Sequence, residues 1–145
     1  MSFRLASNPW YTQAYGHAVS RRKIPLEILS ARNALLPRMQ QALQGAEVTL
    51  LLDGWTNCRH SKMLNLLIAR GELVVFWRTV PMKLGKAANV LIGLVKQVVL
   101  EYEAALKVTT VGVVADNENS NKALFGLIRA WRPCILCLGC NAHGL

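Results

Sequence analysis

The sequence predicts an α/β fold, a mixed sheet with flanking helices, and three patterns in its apolar residues carry this prediction. Five runs have the length and composition of strands: 48–52, 63–69, 73–80, 108–115 and 134–138. Only Arg70 to Glu72 separate the second run from the third, a spacing typical of an antiparallel hairpin. Apolar residues with helical spacing fill the gap before the fourth run. The predicted sheet is therefore a three-strand antiparallel meander plus two parallel strands.

A helical lead-in is predicted for residues 1–45, with the sheet domain in residues 46–145. Asn8-Pro9 is a typical helix start, and the predicted helix runs to about Ala18. Residues 21–25 are interpreted as a linker, and residues 26–43 again show helical spacing. Pro37 interrupts that second helix, so a kink or two short helices are expected.

Two further helices connect the strands of the predicted sheet. Pro81 ends the third strand, and a helix follows Gly85 and continues to about Leu106. Asn119 or Ser120 can cap the next helix, which Pro133 ends. Right-handed crossovers through these helices make the first and fourth strands parallel neighbours, with helices expected on both faces of the sheet.

Asp53 and Asp116 are the only aspartates in the chain, and each follows a strand-like run. Because the carboxyl ends of parallel strands meet at one edge of a sheet, the two carboxylates are expected to face one another there. A carboxylate at the end of a buried strand is costly unless a metal, hydrogen bonds or water compensate it. Converging carboxylates are what a pair of divalent cations needs for phosphoryl transfer.

The charge balance favours a polyanionic partner. The chain has 17 Lys and Arg residues against 8 Asp and Glu, a net charge of +9 in 145 residues. Nucleic acid and an acidic membrane surface both fit such an excess, and nucleic acid is the preferred partner. Residues 1–10 lack the apolar core of a signal peptide, and the most apolar window, 87–100, is shorter than the roughly 20 residues that span a bilayer. No membrane insertion is expected.

The four cysteines are not spaced like a secreted disulfide framework, so a reducing compartment is expected. Cys134, Cys137, Cys140 and His143 are three residues apart, and three cysteines with one histidine form a common structural zinc set. Residues three apart on a strand point to opposite faces, which disfavours zinc unless the strand ends before Cys137. Buried thiols that pack as small apolar groups are preferred.

Three motifs together resemble those of the hAT-superfamily transposases, in the type whose domain of unknown function forms the front half of the catalytic core. The motifs are Asp53-Gly54-Trp55-Thr56-Asn57, Val114-Ala115-Asp116-Asn117-Glu118-Asn119-Ser120-Asn121 and Cys140-Asn141-Ala142-His143-Gly144-Leu145. The lead-in is similar as well, at Asn8-Pro9-Trp10 and Ile24-Pro25-Leu26. The resemblance covers nearly the whole chain.

This resemblance implies a ribonuclease H-like fold and cutting and joining of DNA with Mg²⁺ or Mn²⁺, in the nucleus and without a small-molecule substrate. By position, Asp53 and Asp116 match the first two of the three catalytic, metal-binding acids of the family. Trp55 matches the tryptophan held near the flipped base at the transposon end. Cys140 and His143 match the Cys-x-x-His that supports the active site. Self-association is left open.

The chain departs from the family at the third acid, a glutamate that lies far downstream after an inserted helical domain. The last acid here is Glu118, so the resemblance implies a core truncated at its C-terminus, and the usual N-terminal zinc finger is also missing. Two carboxylates should hold Mg²⁺ weakly. The chain by itself is therefore expected not to cleave DNA, and Asp53-dependent cutting in a divalent-metal nuclease assay would contradict this.

Two other function classes remain beside the transposase. A domesticated or remnant core that binds DNA or protein without catalysis is the main alternative. A phosphatase of the haloacid dehalogenase type also begins with a strand followed by an aspartate. It needs a second aspartate two positions later, where this chain has Trp55, so that class is disfavoured.

Overall fold

Strands and helices follow one another in the predicted order in the computed structural model, which describes residues 24–82, 87–117 and 119–140. The elements are α1 (Ile24–Leu43), β1 (Glu47–Thr56), β2 (Lys62–Arg70), β3 (Leu73–Pro81), α2 (Ala88–Leu106), β4 (Thr109–Asp116), α3 (Asn119–Trp131) and β5 (Leu136–Cys140). The chain divides into two compact units, residues 1–41 and residues 42–145. The second unit holds the whole sheet. Within the described ranges, no helix is both long enough and apolar enough to cross a membrane.

The five strands form one mixed sheet in the order β3-β2-β1-β4-β5. β1 pairs antiparallel with β2, and β2 pairs antiparallel with β3, which gives the predicted meander. β4 lies parallel between β1 and β5, so the first and fourth strands are parallel neighbours. This arrangement, flanked by helices, is consistent with the ribonuclease H-like fold that the family resemblance implies.

The crossover helices α2 and α3 pack against each other, so they share one face of the sheet and do not cover both faces. The physical reason is that both crossovers move in the same direction across the sheet, towards β5. Crossovers between parallel strands are right-handed as a rule, which places both helices on the same face. The buried residues of β1 are Val48, Leu50 and Leu52, which alternate with the less buried Thr49 and Leu51. Trp77 of β3 meets the ring of Tyr102 edge to face, with 6.2 Å between the ring centroids.

Tyr102 and Glu103 attach α2 to the beginning of β4. The Tyr102 and Thr110 hydroxyl oxygens are 2.6 Å apart in the core. The Thr110 amide donates to Glu103 Oε1 at 2.9 Å, and Arg132 donates to both Glu103 oxygens at 2.8 and 3.0 Å. Burial favours the neutral acid, but the hydrogen bonds from Arg132 and Thr110 outweigh it and lower the pKa of Glu103. These contacts fix the strand whose far end carries Asp116.

Three elements have a boundary at least two residues away from the predicted one. Helix α1 starts at Ile24, inside the predicted linker, and continues through Pro37 as one helix, because a proline removes a backbone hydrogen bond without always ending a helix. β1 continues to Thr56 because its pairing with β2 persists beyond Asp53. β5 begins at Leu136 because the Ile135 amide first makes a turn, donating to the Arg132 carbonyl at 3.0 Å. The helix predicted from Pro9 to Ala18 lies outside the described residues, and the predicted 1–45 lead-in domain stays a prediction.

Candidate functional site

One polar residue from each strand lies at the same level across the sheet, and we call these five residues the polar row. They are Thr79, Asn65, Asp53, Asp116 and Cys140. Asn65 pairs with both Asp53 and Thr79, and Asp116 pairs with Cys140. The pairing of β1 with β4 extends to Leu51 and Val114, and the two aspartates follow these residues by two positions each. The register therefore brings both aspartates to the same edge of the sheet, as predicted.

Asp53 is exposed and is held by the neighbouring strand β2. Asn65 Nδ2 donates a hydrogen bond to Asp53 Oδ2 at 3.3 Å. The same asparagine accepts hydrogen bonds at Oδ1 from Trp55 Nε1 at 3.1 Å and from the Thr79 hydroxyl at 2.6 Å. Trp55 is 45% exposed, although its N–H is bonded. Its indole is thus available beside the Asp53 carboxylate.

Asp116 is held by the beginning of α3. Asn121 Nδ2 donates to Asp116 Oδ1 and, at 3.3 Å, to the Asp116 backbone oxygen. Asp116 and Asn121 also line a pocket whose other walls include Met63, Met82 and Leu91. Asp116 therefore lies at the rim between the carboxyl edge of the sheet and the space beneath α2.

The ends of β4 and β5 are joined by Asn117, whose Nδ2 donates to the Cys140 carbonyl at 3.2 Å. This side chain passes directly over Gly139. A Cβ at position 139 would lie 1.8 Å from Asn117 Oδ1, which no real contact allows. Glycine at 139 is therefore required for this bond, and the bond keeps Cys140 level with Asp116.

Replacing Gly139 by alanine should displace Asn117 and cost about 1 kcal/mol, the usual value of one hydrogen bond. Urea unfolding monitored by circular dichroism measures the loss. Gly126→Ala is the matched control, because nothing lies within 4 Å of the added methyl group and alanine suits a helix better than glycine. Equal stability of Gly139→Ala and the wild type would show that Asn117 does not bridge the two strands.

A family model described as "Domain of unknown function (DUF659)" matches residues 27–145 of the chain. The chain belongs to the DUF659 family. The matched region contains all five strands and both crossover helices of the sheet unit. A search of curated proteins found no match. The family description of this DUF659 chain states no activity.

The donor chemistry of the polar row fits a divalent cation. Carboxylate oxygens are the ligands that Mg²⁺ and Mn²⁺ prefer, and Asp53 and Asp116 supply them from neighbouring strands. An asparagine amide donates to each carboxylate, as the partners that orient metal ligands do. In the parts of the chain that the structure describes, no three His, Cys, Asp or Glu side chains form a metal-binding cluster. Among the described residues, Asp53 and Asp116 are the carboxylates that would hold such a cation.

The cysteines of the DUF659 domain do not converge. Cys137 is buried on the helix-covered face, and its burial raises the pKa of the thiol. Cys140, three residues later on β5, belongs to the polar row on the other face. Cys134 precedes the strand and is exposed, so the prediction of a buried thiol is wrong there. His143, predicted to support the active site with Cys140, lies outside the described residues.

Asn65 and Thr79 are site residues that sequence reasoning missed. Asn65 interrupts an otherwise apolar strand and alternates with the buried Leu64 and Leu66, so it must point to the opposite face. Asparagine is rare in strands, so an asparagine at this position of an apolar strand was the signal in the sequence that could have identified Asn65 as a site residue. Its partners could not be predicted, because the register of β2 against β1 and β3 is not visible in the sequence.

Proposed function

We propose that this chain is the front half of a hAT-like DNA transposase catalytic core. The single observation that carries the proposal is the placement of its only two aspartates. Asp53 and Asp116 lie level in neighbouring parallel strands, at the carboxyl edge where open α/β sheets bind their ligands. The match to the DUF659 family and the arrangement of the polar row support this proposal.

Asp53 and Asp116 would hold Mg²⁺ or Mn²⁺ in this core. Such cations supply charge stabilisation and an activated nucleophile for displacement at phosphorus. The protein's own part is to hold the two carboxylates, through Asn65 and Asn121, before any cation arrives. A further carboxylate is required for cleavage, and the 145 residues are proposed to bind the cation weakly and to leave DNA intact.

DNA is the proposed partner, and the nucleus is the proposed compartment. The net charge of +9 gives the electrostatic attraction to phosphates. The exposed indole of Trp55 offers a stacking surface for an unpaired base next to the carboxylates. These features would bring a DNA strand to the polar row, and no small-molecule substrate is proposed.

Mn²⁺ binding by the 145-residue chain tests the metal part of the proposal. We expect weak binding by the wild type, and a loss on the order of tenfold or more in Asp53→Asn and Asp116→Asn, because each change removes one of two charged ligands. Paramagnetic relaxation of water protons measures it. Glu72→Gln in the β2–β3 turn is the control with the same charge change. Equal Mn²⁺ affinity in the wild type and both asparagine variants would refute the metal site.

A DNA-binding module without catalysis is the second candidate, and the positive charge with the exposed Trp55 favours it. The two functions differ in their need for the carboxylates. Fluorescence anisotropy with a labelled single strand, with and without a chelator, separates them. Binding that is indifferent to the chelator and to Asp53→Asn favours the module.

A further inference from the structure

Asn65 lies at the centre of a hydrogen-bond network that joins the exposed indole of Trp55 to the carboxylate of Asp53. Its Oδ1 accepts from Trp55 Nε1 at 3.1 Å and from Thr79 Oγ1 at 2.6 Å, and its Nδ2 donates to Asp53 Oδ2 at 3.3 Å. The network follows from the pairing of Asn65 with Asp53 on one side and with Thr79 on the other. One amide therefore contacts both the Trp55 indole and the Asp53 carboxylate.

The orientation of the Asn65 amide is determined by its partners. An indole N–H can only donate a hydrogen bond, so the amide atom that faces Trp55 must be the oxygen. The amide nitrogen then faces Asp53, whose ionised carboxylate can only accept. The Thr79 hydroxyl donates a second hydrogen bond to the amide oxygen. The Trp55 indole thus ensures that Asp53 meets a donor.

We propose that Asn65 is a positioning residue that fixes the Trp55 indole and the Asp53 carboxylate in one arrangement. The inference rests on the proposed function, in which Trp55 contacts a base and Asp53 holds a cation. The hydrogen bond to Oδ2 restrains the Asp53 carboxylate, so its remaining lone pairs point in a fixed direction. Hydrogen-bond partners of metal ligands generally have this effect. The same amide restrains the rotation of an indole that is otherwise open to solvent. A base stacked on Trp55 and a cation on Asp53 are then held at a constant separation.

The indole N–H resonances of the full chain test the network without any metal. Trp55→Phe identifies the Trp55 signal in a ¹H–¹⁵N spectrum. In Asn65→Leu, which has a similar volume and no acceptor, that signal is expected to move upfield to the position of a solvent-exposed indole. In Thr79→Val, the matched control from the same network, Trp55 keeps its acceptor and the signal is expected to stay downfield. An Asn65→Leu signal at the wild-type position would overturn the proposal.

Mn²⁺ affinity tests the positioning of Asp53. Asn65→Leu is expected to weaken Mn²⁺ binding about tenfold or more, the usual effect of removing a residue that orients a metal ligand. Thr79→Val should leave the affinity unchanged, because Asn65 still donates to Asp53. Thermal unfolding confirms that each variant is folded.

If Asn65→Leu does not fold, Asn65→Asp takes its place. The new carboxylate can still accept a hydrogen bond from Trp55, so the indole signal is expected to keep its wild-type position. An upfield shift of that signal in Asn65→Asp would overturn the network.

The outcomes separate this inference from the function on which it rests. If wild-type Mn²⁺ binding depends on Asp53 while Asn65→Leu binds as tightly, the positioning role is wrong and the proposed function stands. If the wild type shows no binding that depends on Asp53, the proposed function fails and the inference falls with it. If Asn65→Leu loses both the downfield indole shift and the Mn²⁺ affinity while Thr79→Val keeps them, the positioning role and the proposed function are both supported.

Discussion

Replacing Tyr102 by alanine is expected to lower the free energy of unfolding by about 3–5 kcal/mol. The ring is fully buried between the sheet and α2, where it contacts Trp77 edge to face and lies 2.6 Å from the Thr110 hydroxyl. Truncation removes this packing, leaves a cavity and deprives Thr110 of its buried partner. Since natural domains are stable by about 5–15 kcal/mol, this loss is a large fraction of the total stability.

Chemical denaturation with two companion variants divides the loss into packing and hydrogen bonding. Tyr102→Phe keeps the ring but leaves the Thr110 hydroxyl without its partner, so a loss of about 1–2 kcal/mol is expected. Leu100→Ala, on the exposed side of the same helix, should change stability by only about 0.5 kcal/mol. A Tyr102→Ala protein as stable as Leu100→Ala would mean that the ring is not part of the core.

Replacing Glu103 by alanine is expected to cost about 2–3 kcal/mol at pH 7. The carboxylate accepts from Arg132 and from the Thr110 amide, and bonds to a charged group are worth about 1.5–3 kcal/mol. Its loss leaves the Thr110 N–H without an acceptor beside a core strand and the Arg132 guanidinium without its counter-charge. Urea unfolding at pH 7 measures the cost. Glu101→Gln, which disrupts the more exposed pair with Arg78, is the control and should cost at most about 1 kcal/mol.

The pH dependence of the stability difference between the wild type and Glu103→Ala tests whether the pKa of Glu103 is lowered in the folded protein. The hydrogen bonds to Arg132 and Thr110 lower the pKa of Glu103 in the folded protein against burial, whereas the unfolded chain keeps the ordinary value near 4.3. The stabilisation is therefore complete above about pH 5 and is lost as the pH falls below 4.3 through the lower folded pKa. The stability difference between wild type and Glu103→Ala should be constant from pH 5 to 7 and shrink in acid. A difference that grows in acid would contradict the assigned ion pair.

The topology of the sheet was predictable because it depends on local signals. The three-residue connection at Gly71 specifies a hairpin, and the helical spacing before Leu106 specifies a crossover. Those two signals are enough to make β1 and β4 parallel neighbours and to bring Asp53 and Asp116 to one edge. The strand order also explains why α2 and α3 lie on the same face. Two right-handed crossovers that move in the same direction across a sheet place their helices on the same side.

The detailed contacts of the site were not predictable, because they depend on register. Asn65 meets Asp53 only in the alignment that β1 and β2 adopt, and a shift of one residue would point it into the core. The β2–β3 pairing also contains an irregularity between Leu66 and Leu67, which no periodicity reveals. The bond from Asn117 to Cys140 depends in the same way on how β5 aligns with β4.

The central position of β1 has a consequence for the order in which the chain folds during synthesis. The meander of β1, β2 and β3 consists of contacts between near neighbours in sequence, so it can form as soon as Pro81 has left the ribosome. β4 reaches the ribosomal exit about 60 residues after Asp53, roughly 3–12 s later at ordinary rates of translation. For that interval, the edge of β1 that β4 will occupy is unpaired, and such an edge is a template for pairing with other chains. The two halves of the site are thus joined by one of the last contacts to form, and a nascent chain that stalls within α2 carries Asp53 on an open strand.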